Sequence, residues 1–204
     1  MISIRVGECD VDILPVVNGI TSEEEAVRSA YGRYEAYAMS MGIEGIQAIK
    51  DRVKLNDDFE VSEFDIAYSN RMKELTGEDV LIPSPAMCVL VDLVAADGGN
   101  VIPLDMDDSE FTDMYCETVP ALDFVKEHRL AKKGMKKSFS SRDPKSFALE
   151  WDAFVNSGIK SYATVSRMRE SHISEQIRDI AKYRRSLLAV IEVERAEGVA
   201  DLLR

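Results

Sequence analysis

The sequence predicts an α/β chain, with a small, mostly parallel sheet flanked by helices and a helix-rich excursion from it. Three observations carry this. "SLLAVIEV", residues 186–193, is continuously apolar from Leu187 to Ile191, as in a parallel strand covered on both faces. Shorter apolar runs, Ile2 to Val6 and "NVIPLD" at 100–105, are separated from it by stretches of helical spacing. The chain has 204 residues, 46% hydrophobic and 30% charged, which suits one largish domain with a sizeable core.

Taken in order, residues 2–6 predict a strand, and 13–17 a second extended piece, with Pro15 arguing against a central position. "TSEEEAV" opens a helix that Thr21 or Ser22 can cap, with Glu24 or Glu25 as capping-box partner. Val27, Ala30, Tyr31, Tyr34, Ala38 and Met41 extend it as one apolar stripe, a long helix over 22–41. Ile43, Ile46, Ile49 and Val53 continue as a shorter one. Phe59 and Val61 alternate like a strand, while Phe64, Ala67, Met72 and Leu75 give a helix from about Ser62 to Gly77. The helical excursion therefore spans 20–76 of a single 1–204 domain. Val80 to Ile82 read as a short strand or link. "SPAMCVLVDLVAADGG" is a helix with Pro85 in its first turn and Gly98-Gly99 at its end, apolar nearly all round and so well buried. After "NVIPLD" a helical region runs from about 107 to 131, broken at Pro120. Residues 132–145 form a basic loop. Helices starting at Asp143-Pro144 and covering about 161–183 precede the apolar strand, and a short helix through Val199, Leu202 and Leu203 ends the chain.

The formal charge of −12 hides a division: residues 1–125 carry 26 acidic and 8 basic side chains, residues 126–204 carry 11 and 17. This predicts that the basic part folds onto the acidic part, within a chain or across a dimer. A nucleic-acid role for 126–145 is the weaker reading, because a negative field repels phosphates and Phe139 is the one aromatic there. No run approaches the ~18 apolar residues of a membrane span. Three cysteines, Cys9, Cys88 and Cys116, make neither a disulfide framework nor a zinc pair, and with no secretory signal they predict a cytoplasmic setting. Cys88 and Cys116 read as core, and Cys9 lacks a neighbouring base.

In a parallel sheet, ligands sit beyond the carboxyl ends of the strands. The strand-end turns here are Gly7-Glu8-Cys9-Asp10, Asp105-Met106-Asp107-Asp108 and Glu192-Val193-Glu194-Arg195. If the strands are neighbours, Glu8, Asp10, Asp105, Asp107 and Glu194 converge, and an all-oxygen set favours magnesium, calcium or manganese over zinc, with Glu8, Asp10, Asp105 and Glu194 the expected ligands of magnesium or manganese. A close carboxyl pair can instead divide acid and base roles. The bland alternative is that acids follow strands as turn formers and caps, with Asp107 and Ser109 natural N-caps.

"RESHISEQIRDIAKYRRSLLAVIEVERAEGVADLL" resembles the closing segment of the TraB/pheromone-shutdown family and its relatives, the Tiki, ChaN-like and erythromycin-esterase-like proteins. Arg169-Glu170 matches an Arg-acid pair on a long helix, Val190-Ile191 the strand, and Arg195 stands where the glycine-rich turn bears histidine. Gly7-Glu8-Cys9-Asp10 is similar to an opening Gly-x-x-His turn with Asp in the last place, and Asp105 matches an acid ending the middle strand. The resemblance implies a metal-dependent hydrolase fold. It gives Asp10, Asp105, Arg169 and Arg195 catalytic positions, with both motif histidines replaced. A non-catalytic descendant, self-associating through its helical excursion with Tyr37, Met39 and Ile43 at a homodimer contact, is the alternative.

Overall fold

A computed structural model describes residues 1–52 and 62–204, so the alternation at Phe59 and Val61 and the end of the Ile43 stripe at Val53 lie outside the described residues. Among the described residues, five strands form one sheet in the order β1-β2-β5-β3-β4. β1 (Ile2–Val6) and β2 (Cys9–Val16) make an antiparallel hairpin, with Val6 opposite Cys9 and Arg5 opposite Asp10. The rest is parallel. β5 (Ser186–Glu192) pairs with β2, β3 (Ala36–Met39) with β5, and the two-residue β4 (Ile102–Pro103) with β3. The carboxyl ends of β2, β5, β3 and β4 therefore share one rim.

A 3₁₀ turn, Thr21–Glu23, leads into α1 (Glu24–Ala30); α2 is Ile43–Asp51, α3 Glu63–Thr76 and α4 Pro85–Ala96. Then come α5 (Asp108–Thr118), α6 (Ala121–Lys136), α7 (Pro144–Gly158), α8 (Lys160–Ala181) and α9 (Val193–Leu203). Side chains alternate along β5. Leu188 and Val190 pack with Leu14, Val16, Met39, α1, α2 and α4, while Leu187, Ala189 and Ile191 pack with Val11, Ile13, Ala38, α8 and α9. The sheet is thus sandwiched, and β5 is apolar from Leu187 to Ile191 because neither face meets water there. A third cluster, built on Ala67, Met72, Phe147 and Trp151, joins α3 and α7 beside the rim.

The expected helix over 22–41 is corrected. α1 stops at Ala30, and Gly32 turns the chain at φ +89 so that 36–39 become β3. The tyrosine spacing belongs to that turn: Tyr31 stacks on Tyr37 at 4.8 Å, and the Tyr37 hydroxyl accepts from the Gly32 N–H at 2.8 Å. A strand covered on both faces shows no alternation, and "AYAM" therefore reads equally well as helix. Met39, assigned to a dimer contact, is fully buried in the core. The basic stretch 132–145 is not one loop either, since 132–136 close α6 and Pro144 opens α7. Cys116, expected in the core, is exposed. The helix from Ser62 is as read: Ser62 and Asp65 form a reciprocal capping box, and Gly77 ends it in the left-handed region.

Candidate functional site at the strand ends

β5 ends in a carboxylate. Glu192 occupies the N-cap position of α9 but caps nothing with its side chain, which leaves it for its neighbours. From β3, the Ser40 hydroxyl donates to Glu192 Oε2, and the Glu192 N–H donates back to Ser40 Oγ at 3.3 Å. From α8, Arg169 Nη2 lies 3.9 Å from Glu192 Oε1. The same guanidinium donates through Nε (2.7 Å) and Nη2 to Oδ2 of Asp105, just past β4, whose Oδ1 accepts from the Met106 N–H at 2.9 Å. Burial works against the Arg169 charge, but Glu192 and Asp105 more than offset it, and its pKa lies above the ordinary arginine value. Phe111 sits under the guanidinium, 5.9 Å from ring centre to carbon.

A second polar layer lies behind. Arg195 Nη1 donates to Ser166 Oγ of α8 at 2.7 Å, and the fields of Glu170 and Asp152 also fall on it. Burial raises the pKa of both acids, with Arg195 opposing. Burial pushes Glu194 up to about 7, and the charge of Glu192 adds to the push. Among the described residues, three buried polar atoms in this region have no partner: Glu194 Oε2, Arg195 Nε and Tyr68 Oη of α3. Unmade hydrogen bonds of this kind cost free energy, so the region is polar beyond the needs of packing.

Above Glu192 lies a cleft of about 340 Å³. Its walls are Asn18 and Gly19 after β2, Met41 after β3, Gly45, Ala48 and Ile49 of α2, Asp65, Tyr68 and Ser69 of α3, and Val80 to Ser84 with Met87 of α4. The 80–84 link is held close by the Leu81 N–H donating to Gly19 O at 2.8 Å. Gly19 permits this: its φ is +87, and a Cβ there would lie 2.3 Å from Val80 Cγ1. Apolar walls with a few polar groups at the strand ends are what a small-molecule site requires.

No family model, curated protein or solved structure matches the chain. The site is therefore described from its own residues. Asp105, Arg169, Glu194 and Arg195 all lie at the carboxyl rim, and they are tied together through α8 rather than gathered around one point. Glu8 and Asp10 are elsewhere, which corrects the expected convergence. Gly7-Glu8 is the hairpin turn between antiparallel strands, and Asp10 pairs with exposed Arg5. Asp10 lies opposite Ser186 and Val16 opposite Glu192, so six residues, about 20 Å of strand, separate Asp10 from the rim. Convergence requires β1 to run parallel to its neighbours, and the hairpin sends its end the other way. The guanidinium on Asp105 belongs to Arg169, whereas Arg195 turns to Ser166. Burial raises the pKa of the Cys9 thiol, against a nucleophilic role.

These groups do not fit a divalent cation. Asp105 spends its oxygens on Arg169 and the Met106 N–H, Glu192 spends Oε2 on Ser40, and among the described residues no group of three His, Cys, Asp or Glu could hold a metal ion. The residues that reading the sequence missed are Ser40, Tyr68, Asp152 and Ser166. Ser40 was hidden by taking β3 for helix, and the others come from helices whose packing no local pattern reveals.

Proposed function

We propose that this chain is a small-molecule-binding protein, a divergent TraB-like fold whose strand-end site holds an organic ligand in place of a metal. The observation that carries the reading is the apolar cleft with the Glu192 carboxylate at its base, at the end of the central strand. Support for the TraB-like origin is the meeting of Arg169, Asp105 and the β5–α9 turn at one end of the sheet. Glu192 is fixed by Ser40 and Arg169 before any ligand arrives, so little reorganisation opposes binding. The volume lies at the low end of the range for such sites (roughly 300–1,000 Å³), which sets the ligand's size.

The neutral dye Nile red tests the cleft directly. Saturable fluorescence enhancement is expected, lost in Ala48→Trp, where the indole fills the cleft from α2 while circular dichroism stays unchanged. Equal enhancement by both proteins would place the dye elsewhere and overturn the reading.

A further inference from the structure

The charges around the cleft do not balance, and this identifies the ligand's head group. Five carboxylates, Asp105, Asp152, Glu170, Glu192 and Glu194, share the rim with three guanidinium groups, Arg167, Arg169 and Arg195. All three are engaged, Arg167 with Ala163 O and Thr164, Arg169 with Asp105 and Arg195 with Ser166. Lys, Arg and His are absent among the described residues that line the cleft, where Asp65 and Glu192 are the charged ones. Glu194 Oε2 is buried without a partner, and so is the hydroxyl of Tyr68, a wall residue on which Glu194 acts electrostatically.

We propose that the cleft takes a small molecule with an apolar body and a protonated amine, the ammonium seated against Glu192 and within the field of Glu194. This rests on the cleft being a ligand site. Three ammonium N–H groups can use oxygens that the fold leaves open, and the positive charge relieves the surplus of carboxylates. A carboxylate ligand would meet Glu192 and Asp65 with like charge and no cation on the walls. The groups facing Glu194 are Glu192 from β5, Arg195 on its own helix, Asp152 from α7, Arg169 from α8 and Tyr68 from α3. An added ammonium shifts this set toward ionisation, so near neutral pH binding releases a proton from Glu194 to solvent.

Calorimetry with 3-phenylpropylamine, 3-phenylpropanol and 3-phenylpropanoate at pH 6.5 is the test, since the three differ only at the head. The amine is expected to bind at least tenfold more tightly than the alcohol, and the carboxylate not at all. Repeating the amine titration in phosphate and in Tris separates the enthalpy of proton release, which is expected in the wild type and lost in Glu194→Gln with binding retained. Equal affinities for amine and alcohol, a preference for the carboxylate, or magnesium competing with the amine would overturn the amine assignment. If none of the three binds while Nile red still does, the head-group inference fails and the cleft reading stands; if Nile red fails as well, the cleft reading itself has failed. The wild-type series needs no variant, so a misfolded Glu194→Gln leaves the amine preference decided.

Discussion

Arg169 is the residue on which the rim depends, because one planar fork serves two carboxylates from two strands. Removing it leaves Asp105 buried without its countercharge. Arg169→Ala is expected to cost about 3–5 kcal/mol in urea unfolding, the range for breaking a buried pair by one partner. Arg169→Lys keeps the charge but not the two-pronged geometry and should cost less. Glu194 gives the second expectation at this scale. Its folded pKa, about 7, lies above the roughly 4.3 of an unfolded Glu, so the folded chain binds more protons between those values. Stability must therefore fall as pH rises from about 4.5 to 7, by up to about 3 kcal/mol, and the cost is complete above pH 7. Glu170 and Asp152, also raised, act in the same direction. Below about pH 4 the sign reverses, because Glu150, held down to about 2 by Ser141 and Ser140, loses those bonds on protonation. A denaturation series from pH 3 to 8 should peak near pH 5, and Glu194→Gln should flatten the limb above the peak.

Elements that announced themselves in the sequence did so through local chemistry. The capping box at Ser62, Pro85 in the first turn of α4, Asp107 before α5 and the apolar run Leu187 to Ile191 of β5 each needed only a few neighbouring residues to be read. β3 and the sense of β2 depended on partners far along the chain. Ala36 to Met39 are a strand because β5 and β4 flank them, and Cys9 to Val16 run toward the rim because β1 folds back on them. The candidate site inherited both errors: Asp105, Arg169, Glu194 and Arg195 lie at the carboxyl rim, with Arg169 rather than Arg195 on Asp105, whereas Glu8 and Asp10 sit at the far end of β2. Contact between α8 and α9 makes a further prediction. Gly198 lies on α9 against Glu170, and a Cβ there would fall 2.4 Å from Glu170 Oε2. Gly198→Ala gains helix propensity of about 1 kcal/mol, and the atoms in its way are the carboxyl end of the half-buried, flexible Glu170 side chain, which can swing aside. A rise in thermal midpoint is expected; a fall would show that the packing of α8 on α9 holds Glu170 where it is.

Over the whole molecule, the division between an acidic and a basic part is folded inside one chain. The basic α6 packs on α3, His128 pairs with Glu63, and Arg169 of the basic part holds Asp105 of the acidic part. Among the described residues no helix is long and apolar enough to cross a membrane. The net charge of −12 is left, and it acts over longer distances than the pairs do. Exposed pairs such as Arg5–Asp10 and Lys73–Asp79 are worth at most about 1 kcal/mol each. Their charges sit well inside the screening length of ~8 Å at physiological salt, whereas repulsion among like charges spread over the surface acts beyond it. Added salt therefore cancels the unfavourable long-range part first. Raising sodium chloride from 0.02 to 0.5 M is expected to lift the thermal midpoint by about 2–4 °C, equivalent to roughly 1 kcal/mol for a chain of this size. A falling midpoint would mean that attraction between the acidic and basic parts outweighs the net charge and is itself a main support of the fold.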